Sequence, residues 1–153
     1  MKKRVLRLAG VAISGAVAIG FAGCTAVDHV SIGLDNGKLR FAYCREFAPN
    51  RVSIDVSRDD LNGAKYHEVW VANGPESAGM MPVDYGVDPP GFTTKLGPEQ
   101  FDISRSVIAV GFNRVSKTGE DESDRVGVFN GRQLVEGKWL NWNGKLVSSP
   151  CTS

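Results

Sequence analysis

The chain has 153 residues, 42% apolar and 23% charged, proportions of one globular domain rather than of collagen, coiled coil or a wholly disordered chain. Lys and Arg number 18 against 17 Asp and Glu, so the net charge of +1 gives no reason to expect nucleic acid as a partner. Two His and three Cys exclude most zinc frameworks, and neither a metal nor a cofactor is expected.

Lys2, Lys3, Arg4 and Arg7 open the chain, and no acidic residue precedes Asp28. Residues 8–22 are apolar or small except for Ser14, and Phe21-Ala22-Gly23 leads directly into Cys24. A positive start, an apolar centre and small exit residues are the parts of a secretory signal peptide. With a cysteine at the junction, the segment resembles a bacterial lipoprotein precursor, although Phe21 stands where that family's lipobox usually carries Leu. The resemblance implies cleavage before Cys24, diacylglycerol on its thiol and a fatty acid such as palmitate on the new amino terminus. The expected organisation is a signal peptide over 1–23, a lipidated tether over 24–29 and a β domain over 30–153. The expected location is the extracytoplasmic face of a cell membrane, with lipid on Cys24 as the membrane partner. Plain secretion and a retained anchor are the alternatives; the apolar run is short of the roughly 20 residues that span a bilayer. Removing residues 1–23 leaves 153 − 23 = 130 residues with a net charge of 14 − 17 = −3.

Period-two alternation then marks strands. Val30, Ile32 and Leu34 alternate with smaller or polar residues, as do Leu39, Phe41 and Tyr43, and Val52, Ile54 and Val56. Residues 66–72 and 106–112 are apolar on both parities, as central strands are. Residues 125–129, 138–142 and 145–148 add shorter candidates. Asn-Gly occurs five times, beginning at 36, 62, 73, 130 and 143, and favours tight hairpin turns. No mature segment holds a 3.6-residue apolar period long enough for a substantial helix; residues 59–62 and 97–100 are candidates for single helical turns. The pattern predicts an all-β domain, a single antiparallel β-sandwich of loosely immunoglobulin-like kind, with a small β-barrel as alternative. The immunoglobulin fingerprint itself fails, because Trp70 follows Cys44 by 26 residues and Ser149-Pro150 precedes Cys151.

If lipid occupies Cys24, an even pair remains outside the cytoplasm, and a Cys44–Cys151 disulfide is expected. The alternative, a catalytic Cys, lacks a recognisable His motif. No G-x-S-x-G, H-E-x-x-H, C-x-x-C or phosphate-binding G-x-x-x-x-G-K-[ST] occurs after residue 24. No catalytic residue is therefore assigned. His67 reads as a partly buried or edge histidine on the parity of Val69 and Val71. Residues 119–124 hold four carboxylates, which read as a solvated hairpin tip or a weak cation site. Trp139 and Trp142 lie three apart, on opposite faces of a strand, and so make a poor ligand platform.

Residues 73–100 contain five of the seven prolines and form the longest irregular segment. Its apolar Met80, Met81, Tyr85 and Phe92 either cap an open edge of the sandwich, with a short strand near 81–85 as part of that cap, or form a recognition surface. The expected function is a non-enzymatic envelope lipoprotein that binds an envelope protein, peptide or glycan. An envelope hydrolase, or a protease inhibitor presenting residues 73–100, is the alternative. A cleft around His67 would favour the enzyme, and a protruding loop the inhibitor.

Overall fold

The structure, a computed structural model, describes residues 29–58, 65–76 and 82–152. Cys24, Met80, Met81 and the turn expected over 59–62 lie outside the described residues. Strand β1 (Val30–Asp35) turns through Asn36 and Gly37, with φ of 51° and 72°, into β2 (Lys38–Tyr43). Two successive positive φ values are what a two-residue hairpin needs, and Asn-Gly supplies them at low cost. Among the described Asn-Gly pairs, only 36–37 and 143–144 place glycine at positive φ in a turn. Asn73-Gly74 instead ends a strand, and Asn130 caps a 3-10 turn.

The chain continues through β3 (Arg51–Arg58), β4 (His67–Asn73), β5 (Val83–Asp84), β6 (Thr93–Leu96), β7 (Ser106–Val115), β8 (Asp121–Asn130), β9 (Trp139–Leu140) and β10 (Leu146–Val147). These form two five-stranded sheets, β10-β9-β1-β2-β5 and β6-β4-β3-β7-β8, in which every ladder is antiparallel. The barrel alternative is corrected: no ladder among the described residues joins the sheets, and each keeps two edge strands. What joins them is one core. Phe41 of the first sheet packs edge-on against Trp70 and Phe112 of the second, with ring centroids 5.8 and 5.7 Å apart. Val30, Ile32 and Leu39 meet Val52, Ile54, Ile108 and Val110 around them, all buried.

Three local expectations are corrected. Residues 73–100 are not one irregular loop. Within them β5 pairs with Arg40 and Phe41 of β2, while β6 pairs with β4, so the segment adds an edge strand to each sheet. No helical turn forms at 97–100, where Gly97 precedes a cis Pro98; the two 3-10 turns are Ile103–Arg105 and Gly131–Gln133. Residues 121–124 belong to the strand β8, and the hairpin tip is at 116–120, where the Ser116 carbonyl accepts from the Gly119 amide.

The C-terminal tail closes the outer face of the first sheet. Cys44 and Cys151 are disulfide-bonded across 107 residues, with Cα atoms 5.2 Å apart. The Ser31 hydroxyl donates to the Pro150 carbonyl oxygen at 2.5 Å, and the Asn141 amide donates to that of Thr152 at 3.0 Å. Ser31 and Ala42 point away from the core yet are fully buried, because the tail folds back over them.

Candidate functional site

A hollow of about 860 Å³, larger than two others among the described residues, opens at one end of the second sheet. Its shape begins with a β-bulge in β4. The ladder pairs Ile54 with Trp70 but Asp55 with Glu68, leaving Val69 as an extra residue. A bulge re-aims the side chains beyond it. Here Val69 and Trp70 both enter the core, Glu68 turns outward beside Asp55, and His67 lines the hollow. The common parity expected for His67, Val69 and Val71 is broken at this point.

The carbonyl freed by the bulge fixes the opposite wall. The Val69 oxygen accepts the Glu99 amide at 3.0 Å and lies 3.3 Å from the Tyr85 hydroxyl, which also donates to the Glu99 carbonyl oxygen at 2.7 Å. Gly97 sits directly on the same carbonyl at φ 74°, where any side chain would collide with it. Tyr85 then packs edge-on between Trp70 and Phe101, with centroids 5.9 and 5.7 Å away. Burial pushes its phenol up to about 12.

The third wall is built from the two 3-10 turns. Asp102 caps the first, accepting the Ser104 amide at 3.0 Å and the Ser104 hydroxyl at 2.7 Å. These bonds, the Ser104 hydroxyl foremost, hold its carboxyl below the usual range, with Arg105 adding an ion pair at 3.7 Å. Asn130 caps the second turn through the Arg132 amide at 2.9 Å. Gly131 lets the second turn press onto the Ile103 carbonyl of the first, so Arg105 and Arg132 both reach the hollow. The floor is apolar, formed by Val56, Val69 and Phe101, and the rim carries His67, Glu99 and Gln100.

This arrangement suits binding. The Ser106 hydroxyl donates to the Asp102 carbonyl oxygen at 2.7 Å, and one Asp102 carboxylate oxygen accepts the Ser104 amide and hydroxyl while the other faces Arg105. Asp55, on the outer face, is raised by burial and then by the neighbouring Glu68 charge; Glu68 itself is ion-paired with Arg51. Among the described residues no three His, Cys, Asp or Glu side chains converge as a metal site. Two smaller hollows, of about 230 and 220 Å³, lie beside β8 and over Gly33.

The residues singled out in the sequence are placed elsewhere. Phe92 is buried against Gly74, and Tyr85 is half-buried in the cleft wall, so both serve the scaffold instead of forming the recognition surface. Trp139 lies flat over Gly33 with the Arg40 guanidinium 5.5 Å from its ring, whereas Trp142 packs on His29 at 4.7 Å. The two indoles form no shared platform. Glu99, Gln100, Phe101, Arg105 and Arg132 were not legible as a site. The only local signals are Asp102 and Asn130, each followed two residues later by the amide it caps, and nothing in the sequence brings those turns together. Comparison with family models, with curated proteins and with solved structures returns no match.

Proposed function

We propose that the protein is a lipid-anchored, non-enzymatic binding module of the cell envelope, built as a two-sheet sandwich, with the end cleft as its binding site. The observation that carries this reading is the polarity of the domain. The chain enters at His29, whose carbonyl oxygen accepts the Cys44 amide at 2.8 Å. From that end Cys44 leads through Phe47 to Asn50, whose side chain is bonded in both directions to the Val115 backbone at 2.7 and 2.8 Å. Strand β7 runs from Val115 to Ser106 in the cleft wall. The ten residues of β7 set Val115 ~30 Å from Ser106, and Val30, next to the entry, packs near Gly127, which pairs with Val110 about halfway along that length. Cys24 precedes His29 by five residues (29 − 24), so acylation there holds the entry end at the membrane and points the cleft away.

The loosely immunoglobulin-like sandwich is supported by the shared aromatic core, with Phe41 packed on Trp70 and Phe112. A cleft that includes His67 is also what an envelope hydrolase requires, and for that reason the enzyme is the second reading. Binding is preferred because the Asp102 carboxylate is already engaged by Ser104 and Arg105, and the Ser106 hydroxyl by the Asp102 carbonyl oxygen. The inhibitor reading is disfavoured by β5, β6 and buried Phe92, which fasten the described parts of residues 73–100 to the sheets. Metabolic labelling with a fatty acid tests the anchor: wild-type protein takes up label and Cys24→Ser does not. Unlabelled wild-type protein refutes it.

A further inference from the structure

We propose that the cleft takes a short, neutral oligosaccharide. The inference rests on the reading of the cleft as a binding site and adds the class of its ligand. Its first support is charge. The lining holds two guanidiniums, Arg105 and Arg132, and two carboxylates, Glu99 and Asp102, with Arg105 and Asp102 already paired at 3.7 Å. Sites for phosphates, nucleotides or acidic peptides surround the ligand with an excess of the opposite sign. This cleft offers balanced charge, and with it planar hydrogen-bonding groups of both donor and acceptor kind: guanidinium, carboxylate, primary amide and imidazole.

The second support is the floor. The partly exposed ring of Phe101 is the apolar surface beneath that polar rim, backed by Val56 and Val69, which are only 3% and 1% exposed. A sugar ring has the same division, with hydroxyl groups around its edge and C–H groups on its face, so one ligand satisfies both parts of the cleft. Phe101 is held at 81° to the Tyr85 ring and cannot turn away without breaking that contact.

The third support is what the cleft withholds from a peptide. Extended peptides gain affinity by adding to a sheet edge. Of the strands that line this hollow, β3 and β7 are internal to their sheet, and on the outer side of β4, whose ladder with β6 is confined to Val71–Asn73, the Val69 carbonyl oxygen already accepts the Glu99 amide. Recognition falls to side chains. The wall pinned at the Val69 carbonyl is already in place before the ligand arrives, which lowers the ordering cost that weakens saccharide binding.

The test uses the full-length protein in a detergent without sugar groups. The probes are fluorescent tri- and hexasaccharides of N-acetylglucosamine, glucose, mannose and arabinose, read by fluorescence polarisation beside a pool of uncharged peptides. At least one saccharide series is expected to bind, with affinity changing less than about twofold between low and high salt, as for a neutral ligand. Gln100→Ala and Arg105→Ala alter exposed side chains and should leave the melting temperature unchanged. Each should weaken saccharide binding about fivefold, the loss of roughly one hydrogen bond. Peptide capture that both variants abolish, with no saccharide bound, overturns the ligand class and leaves the cleft as a binding site. Binding that falls tenfold or more with salt also overturns the neutral class. If neither saccharide nor peptide binds, or the variants change nothing, the cleft itself loses its assigned role.

Discussion

Tyr85 joins β5 to the cleft wall through one hydroxyl, shared between the carbonyl oxygens of Glu99 and Val69. Tyr85→Phe keeps the ring between Trp70 and Phe101 and removes only those bonds. A loss of about 1 kcal/mol is expected from urea denaturation, the usual net worth of a hydrogen bond. The same residue sets an alkaline dependence. Its folded pKa of about 12 lies above the ordinary 10.0, so the unfolded chain gives up the proton first as pH rises. The contribution is complete below about pH 10 and is lost as pH climbs toward about 12. The fall in urea midpoint across that window should be smaller in Tyr85→Phe. Asp55 works at the other end of the scale. Burial and the facing Glu68 raise its pKa above 3.8, so the folded state favours the protonated acid, and stability from this group declines as pH rises through the raised value. Asp55→Asn should be more stable than wild type at neutral pH and should lose that advantage in acid below about pH 3.8. Urea midpoints at several pH values decide it.

At the scale of elements, residues 73–100 contrast two roles for an apolar side chain between prolines. Phe92 is 6% exposed and fills the space over Gly74. Phe92→Ala should therefore cost about 3–5 kcal/mol, the range for emptying a core ring, where a surface ring would stay within about 0.5 kcal/mol. Thermal and urea denaturation separate the two. The hairpin of β1 and β2 and the strand β3 were legible because each turns its large apolar side chains toward the core and small or polar ones the other way, which writes alternation directly into sequence even where the tail covers Ser31 and Ala42. The bulge at Val69 was not legible. Val69, Trp70 and Val71 are apolar in a row, and nothing in such a run says which residue is extra. Strands β5 and β6 are only 2 and 4 residues long and so carry too few side chains to show a period. The acidic start of β8 reads as a turn because charge marks solvent; the backbone ladder with β7 continues regardless, to a pairing of Asp121 with Val115. The cleft was hidden for a related reason. Its residues come from four separated stretches, brought together by caps and carbonyl contacts that leave no periodic mark.

At the scale of the whole molecule, the domain has two unlike ends. Asn50 and Val115 pair at one end of β7 and the cleft opens at the other, while His29 and Cys44 pair at the start of β1 in the first sheet. The disulfide of Cys44 and Cys151 lies beside His29, where it holds the C-terminal tail against the first sheet. If Cys24 carries lipid, the tether would enter the domain at β1, in the first sheet, while the cleft is lined by residues of the second sheet and its turns. That separation is the central claim, and photo-crosslinking in intact cells tests it most directly. A photoreactive side chain replaces Arg45 at the entry end in one strain and Gln100 at the cleft rim in another, and the adducts are analysed for phospholipid. The account predicts lipid adducts at position 45 and none at position 100. Lipid adducts at position 100, or their absence from position 45, would contradict a domain that stands on its tether with the cleft held away from the membrane.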